Sequence, residues 1–510
     1  MALLGALVGY LAFPPVGFWP LAVVGPALLW AVAARRKPLA ASLMGLWYGL
    51  GYFLALLYWL VNTITDYGGL PLAISILSYL LLVAYLALYP ALAARLMAHA
   101  ASRGADAALL IAPFAWTGLE WVRARLMSGF GWGDTAQALW RQGWALDLAP
   151  RIGASGAALL VHLAASGLAW LLLSLGEKEG RPTLRGLAPS ALGILLILTV
   201  PLLDDGLNPA TEGEKIVIVQ GNIDQAHKWE PAQRRETVEI HRRLTLEGVR
   251  KLGGADLVVW PETAFPSYFQ TPSPLRDLVE ETAREAGAPV VFGAPAFENA
   301  GGARTHRNSV FAVSGEGELK GRYDKMHLVP FGEYVPLPKL FFFIKRMVYA
   351  AGDFTPGERT VLLDPASGAL PVGALVCFES IFPDYALEHA VGGARILALV
   401  TNDAWFGLTH APWQHLCYAA WRAAETGLPL VRAANTGVSA FFDRRGRLLE
   451  VSTQAVETTL TATIQCPKPG KPLAASIQQL IGPCSIALAL AGLFAIFALP
   501  ARKPATDGSR

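Results

Sequence analysis

Charge is scarce in this chain. Of 510 residues, 16% are Asp, Glu, Lys or Arg, against about 25% in an ordinary soluble domain. The net charge of +3 is too small to point to nucleic acid. Cysteine is scarcer still. Cys377, Cys417, Cys466 and Cys484 are the complete set, which excludes a disulfide scaffold, and no CxxC or Cys/His spacing suits a metal. Should the surrounding domain be extracytoplasmic, Cys377 escapes oxidation by having no thiol neighbour. The nine histidines make no zinc set: His410 and His415, five apart, miss a shared helical face, and His327 reads as a packing residue. No metal site or cofactor is expected.

Hydrophobic residues, by contrast, make up 53% of the chain. A membrane span needs about 20 apolar residues. Candidates fall at 2–13, 19–34, 39–61, 70–94, 107–122, 153–175 and 187–203, with an eighth at 481–499. The first is not read as a signal peptide, since no basic stretch precedes it and no Ala-x-Ala site follows. Between Asp204 and Gln479 no run is long and apolar enough to cross. Eight spans divide the chain into a membrane domain at 1–205, a large polar domain at 206–478, and a last span with its tail at 479–510. Arg35, Arg36 and Lys37, then Arg95 and Arg103, then Lys178, Arg181 and Arg185, then Arg502 and Lys503 all fall on the N-terminal side. The positive-inside rule makes that side cytoplasmic and places the polar domain outside. Arg123, Arg125, Arg141 and Arg151 dissent, as a loop docked on protein or a head-group site. Their loop holds Gly129-Phe-Gly-Trp-Gly-Asp134. With no strand before it, this is no nucleotide cradle, and it reads as an interfacial loop.

From Lys215 short apolar runs alternate with amphipathic helices, the pattern of a layered α/β domain. Strands are predicted at 215–220, 256–260, 289–294, 309–313, 370–377, 396–401, 430–433, 439–443 and 459–464. Helices are predicted at 231–252, 274–286, 383–390 and 413–426. Three strand ends carry chemistry. The apolar run 369–376 delivers Cys377, Asp256-Leu-Val-Val-Trp-Pro-Glu262 ends in a carboxylate, and Tyr323-Asp-Lys325 places a lysine before a Pro/Gly turn. Glu262, Lys325 and Cys377 thus supply a base, a cation and a nucleophile. Taken alone, a buried Lys–Glu pair beside an inert cysteine explains them better.

Six stretches in order remove that ambiguity. They are Val219-Gln-Gly-Asn-Ile223, Trp260-Pro-Glu-Thr263, Tyr323-Asp-Lys325, Pro330-Phe-Gly-Glu-Tyr-Val-Pro336, Cys377-Phe-Glu379 and Thr401-Asn-Asp-Ala-Trp-Phe-Gly407. Together with the flanking spans, they resemble the apolipoprotein N-acyltransferase family, the membrane-bound branch of the nitrilase superfamily. The resemblance implies an α-β-β-α sandwich beside a polytopic helical membrane domain. It also implies a bacterial inner-membrane enzyme whose catalytic domain is periplasmic. The implied activity passes a fatty acyl chain from a phospholipid, through a Cys377 thioester, to the α-amine of a diacylglyceryl-cysteine lipoprotein. In that chemistry Glu262 is the base and Lys325 stabilises an oxyanion with the backbone N–H of Phe378.

Glu333 is either the additional nitrilase glutamate that the resemblance implies or a turn residue, Glu379 is a further acid, and Trp229 is either a substrate contact or a core tryptophan. Phe378 stands where many members have Tyr. Leu340, Phe341, Phe342 and Phe343, with Ile344, lie between Lys339 and Lys345. They read as core or as an arm dipping among acyl tails. The rival activities are a membrane-tethered amidase using the same triad with water, and a transporter with a decayed domain. The apolar arm speaks against the first. Against the second stands the intact triad, with Glu120 the one ionisable residue of note in a span.

Overall fold

The computed structural model of the chain describes residues 1–175, 181–203, 207, 210–225, 228–300, 303–335, 354–366, 368–468 and 474–498. Residues 340–344, the expected lipid arm, lie outside the described residues.

Among the described residues, four helices are long and apolar enough to cross a membrane: Pro38–Leu56, Leu72–Ala101, Gly143–Ser174 and Leu184–Leu202. The expectation of eight is not met on length and composition. Ala2–Tyr10 has nine residues, about 14 Å at 1.5 Å each, and Leu21–Ala33 has thirteen. Ala105–Arg123 carries Asp106, Glu120 and Arg123. In the C-terminal helix Ala474–Ala498 the apolar stretch is Gln479–Ala495. Helix Gly143–Ser174 is interrupted at Gly153, whose φ of 62° only glycine adopts easily. The N–H of Ala154 next to it donates to Glu425 Oε1 of the polar domain at 2.8 Å, so the break is satisfied from outside the bundle.

The polar domain contains two six-stranded sheets. The first runs β12-β1-β2-β3-β4-β5 and the second β11-β10-β9-β8-β7-β6. Their strands are β1 Ala210–Gln220, β2 Leu257–Val259, β3 Val290–Ala300, β4 Ala303–Val313, β5 Leu319–Asp324, β6 Leu362–Leu363, β7 Val372–Val376, β8 Ile396–Thr401, β9 Leu430–Ala434, β10 Ala440–Phe442, β11 Leu448–Val451 and β12 Thr458–Pro467. Within them β1, β2 and β3 are parallel, as are β7, β8 and β9. Such strands are apolar on both faces, which is why these runs were visible in the sequence. The β3–β4 hairpin is longer than predicted, and β5 was missed because Lys320 and Arg322 break its apolar pattern.

Inner-facing residues of both sheets, among them Ile218, Val259, Val310, Ala374, Val400 and Val431, share one core. The outer face of the first sheet packs on helices Pro231–Leu252 and Pro274–Ala286. On the second sheet, Leu375, Leu397, Leu399 and Phe442 join Leu416, Tyr418 and Trp421 of helix Ala411–Thr426. The same core continues into Trp132, Leu139 and Trp30 of the membrane region. The outer helical layer of this sheet is therefore also the floor on which the membrane bundle sits. The glycine loop makes the joint. Trp132 and Trp59 both donate to Gln414 Oε1, at 2.8 and 3.2 Å, and Trp421 donates to the carbonyl of Ala136 at 2.9 Å. Trp132 is 2% exposed, so this loop docks on protein and is not an interfacial loop. Arg123 and Arg151 are buried and bonded to backbone carbonyls, Arg125 pairs with Asp384, and Arg141 stacks on Trp140.

Candidate active site

Parallel strands end together, and at that shared edge the side chains leave the core. Glu262 follows β2, Cys377 follows β7, and Asn402 follows β8. Lys325 is the residue after β5. Strand β3 passes so close to this edge that a Cβ on Gly293 would meet the backbone N of Thr263 at 2.5 Å and Cα of Glu262 at 2.6 Å. Only glycine lets the two chains approach in this way.

Glu262 is 7% exposed. Its Oε1 accepts from Asn308 Nδ2 at 2.7 Å and its Oε2 from the backbone N–H of Asn402 at 2.8 Å. Burial raises its pKa above the ordinary carboxylate range and Glu333 adds to this, against the pull of Lys325, Asn308 and Lys228. Lys325 is buried, with Nζ 2.7 Å from Glu333 Oε2. Burial by itself would lower the lysine, but the Glu333 and Glu262 carboxylates reverse this and hold it charged. Asn308 donates to Glu262 and Glu333 alike, at 2.7 Å each, and its carbonyl accepts the backbone N–H of Lys325 at 2.8 Å. One asparagine on β4 thus fixes both acids around the cation.

Cys377 has φ 51°, a left-handed conformation that costs a non-glycine residue about 1–2 kcal/mol. Non-glycine residues held this way cluster at functional sites. Burial pushes the thiol well up, the Glu262 carboxylate pushes it further, and Lys325 opposes both. The thiol thus lies within electrostatic reach of both the Glu262 carboxylate and the Lys325 ammonium.

Glu379, expected as a supporting acid, is buried and fully hydrogen-bonded. Its Oε1 accepts from Tyr323 Oη at 2.9 Å, Met326 N–H at 2.7 Å and His327 N–H at 3.2 Å, and its Oε2 from Val376 N–H at 2.7 Å. It ties the loop after Lys325 to the strand end before Cys377. Burial still lifts its carboxyl to about 7. Phe378 packs its ring against Phe382 and His327, and His327 in turn stacks on Phe382 at 3.9 Å.

Residues 215–468 match the carbon-nitrogen hydrolase family and residues 5–176 match the apolipoprotein N-acyltransferase N-terminal domain. The apolipoprotein N-acyltransferase of Geobacter metallireducens is 38% identical over 91% of this chain and 89% of its own. That of Methylococcus capsulatus is 35% identical over 91% and 90%, and that of Haemophilus influenzae 30% over 92% and 89%. The chain belongs to the apolipoprotein N-acyltransferase family. It is an acyltransferase with a nitrilase-like catalytic domain, and Glu262, Lys325 and Cys377 all lie within the hydrolase match.

Trp229, the aromatic singled out by the family resemblance, is 42% exposed and so is not a core tryptophan. The buried residue is its neighbour Lys228, whose Nζ donates to the backbone carbonyl of Glu262 at 3.2 Å. Burial lowers its pKa to about 8, against the pull of Glu262. Sequence reading missed Lys228 and Asn308, because an isolated lysine or asparagine outside any apolar pattern carries no signal of burial.

Proposed function

We propose that this chain N-acylates lipoproteins by two-step transfer through Cys377. Glu262 takes the proton from Sγ as the thiolate attacks an ester carbonyl of a phospholipid. The Lys325 ammonium, with the backbone N–H of Phe378, stabilises the oxyanion. As the C–O bond breaks, Glu262 returns the proton to the departing lysophospholipid, leaving a thioester on Cys377. The α-amine of a diacylglyceryl-cysteine attacks that thioester, Glu262 accepts its proton, and the C–S bond breaks to release the N-acylated product and restore the thiol. Glu333 keeps Lys325 in place throughout, and Trp229 faces the incoming lipid. The observation that supports this most is the environment of Glu262. Two donors, Asn308 and Asn402 N–H, orient its carboxylate without filling its accepting capacity, and Cys377 feels its charge.

The reading divides the chain at 1–205, 206–478 and 479–510. The short apolar helices cross the membrane together with the four long ones, giving eight spans and a periplasmic catalytic domain. The basic clusters at 35–37, 95–103, 178–185 and 502–503 support that sidedness. Leu340, Phe341, Phe342 and Phe343, outside the described residues, are on this reading the contacts for the acyl chain. Intact-protein mass spectrometry after incubation with a phospholipid tests the central step. A hydroxylamine-sensitive acyl adduct on Cys377 is expected, and an adduct on Cys417, or none, refutes it.

A further inference from the structure

Acyl transfer, as written above, leaves a second buried polar cluster unused, directly behind the nucleophile. His415 Nε2 lies 3.1 Å from the carbonyl oxygen of Cys377 and 2.9 Å from Ser380 Oγ, and Ser380 Oγ donates to the same carbonyl at 3.0 Å. On its other side His415 Nδ1 lies 3.1 Å from Asp403 Oδ1 and 2.9 Å from Arg432 Nη2. Arg432 Nη2 donates to Asp403 Oδ2 at 2.8 Å, and Thr401 Oγ1 donates to Asp403 Oδ1 at 2.9 Å. Asp403, His415 and Arg432 are each no more than 1% exposed. Burial of three ionisable groups in one place is costly unless they are paired and geometrically fixed. Here the paired set ends on one backbone atom, the carbonyl of Cys377.

The ring of His415 is not held by the catalytic domain alone. Trp132 stacks on it at 5.6 Å between centroids and 28° between planes. Trp132 belongs to the loop after helix Ala105–Arg123, and its carbonyl accepts from Arg123 Nη1 at 2.6 Å. A continuous line of contacts therefore runs from Arg123 through Trp132 and His415 to Cys377.

We propose that the Asp403–His415 pair, clamped by Arg432 and faced by Trp132, is a positioning element for Cys377. It holds the Cys377 carbonyl, and with it the left-handed backbone that aims Sγ at Glu262 and Lys325. His415 touches neither substrate nor reacting atom, so its effect falls on the rate of acylation and not on lipid binding. The membrane bundle thereby takes part in catalysis by fixing geometry, beyond anchoring the domain. This inference rests on Cys377 being the nucleophile.

The test uses the purified full chain in detergent micelles containing phospholipid, with His415→Leu, His415→Gln and Trp132→Phe. His415→Leu should lower kcat about 100-fold, the cost of displacing a reacting group by about 1 Å, with KM within about twofold of wild type. His415→Gln, whose amide reaches the same carbonyl, should recover about tenfold of that loss. Trp132→Phe should lower kcat about fivefold through looser stacking. The proposal is overturned if His415→Leu keeps wild-type kcat, if KM rises in step with the fall in kcat, or if Gln is no better than Leu while both melt at the wild-type temperature. Should His415→Leu not fold, unchanged kcat in both His415→Gln and Trp132→Phe overturns it. Mapping the acyl adduct separates the two readings. An adduct away from Cys377 removes the nucleophile and this inference together, whereas an adduct on Cys377 without the expected order of variants removes this inference alone.

Discussion

Glu262 and Glu379 follow strands of opposite sheets, and both feel the charge of Lys325. Both are buried carboxylates whose pKa is raised by burial, yet they are built for different work. Glu262 receives two hydrogen bonds and shares the Lys325 ammonium with Glu333. Glu379 receives four, from a tyrosine hydroxyl and three backbone N–H groups. An ionised carboxylate has about four accepting sites. Glu379 has used its own on the scaffold, while Glu262 keeps capacity for a proton from sulfur. Burial and residue type alone do not distinguish the two acids; the count and identity of the donors do.

Four measurements break or sharpen this contrast. Cys377→Ser should show the largest effect, a loss of transfer on the order of 10⁴-fold, read by lipoprotein acylation with purified protein. A variant that keeps activity would move the nucleophile away from this edge. Glu262→Gln comes next, with kcat down about 10³-fold and melting temperature close to wild type. If Glu262→Gln is active and Glu379→Gln is dead, the two roles are exchanged.

Glu379→Gln should cost about tenfold in kcat, since a displaced Cys377 reacts more slowly. Its main signature is stability, with about 1–3 kcal/mol lost where a buried donor is left unpaired. Its pH dependence follows from the sign of the shift. A carboxyl raised from 4.5 to about 7 in the folded state favours the protonated fold. That contribution is present below about pH 4.5 and is lost as pH rises through about 7. The melting temperature of wild type relative to Glu379→Gln should therefore fall across that window, and a flat difference would contradict it.

Lys228→Met should be the mildest, lowering kcat only a few-fold, because the lysine meets Glu262 at its backbone carbonyl and not its carboxylate. Losing that nearby cation should raise the pKa of Glu262 and move the acid limb of the pH–rate profile upward. An unmoved limb would reduce Lys228 to a packing residue.

Much of the catalytic domain was legible beforehand. Strands β2, β7 and β8 are short apolar runs, buried on both faces, and a Glu, a Cys and an Asn–Asp pair follow them in the chain. Parallel strands end at one edge, which brings Cys377 and Asn402 together, and the packing of the two sheets on one core brings Glu262 to them. The helix Ala411–Thr426 shows the opposite case. Its sequence reads as an amphipathic helix, yet Gln414, His415, Tyr418 and Arg422 are all buried: Gln414 and Tyr418 bond to the membrane region, while Arg422 bonds to carbonyls of the catalytic domain. Helices Ala2–Tyr10 and Leu21–Ala33 are shorter than the runs 2–13 and 19–34 for a related reason. Hydropathy registers apolar length, and a helix that ends after nine residues against its neighbours looks the same as the start of a span.

By itself the sequence determined the family and the membrane character and singled out Glu262, Lys325 and Cys377 as candidates, because these depend on residue type and local order along the chain. Only the tertiary structure decided which donors each buried acid accepts from. It also brought Asn308 and Lys228 to Glu262, and His415, under Trp132 of the membrane region, to the back of Cys377. Those outcomes depend on which donors meet which oxygens across gaps of tens to hundreds of residues, and on a hydrogen bond's steep dependence on distance and angle, neither of which leaves a periodic trace in the sequence.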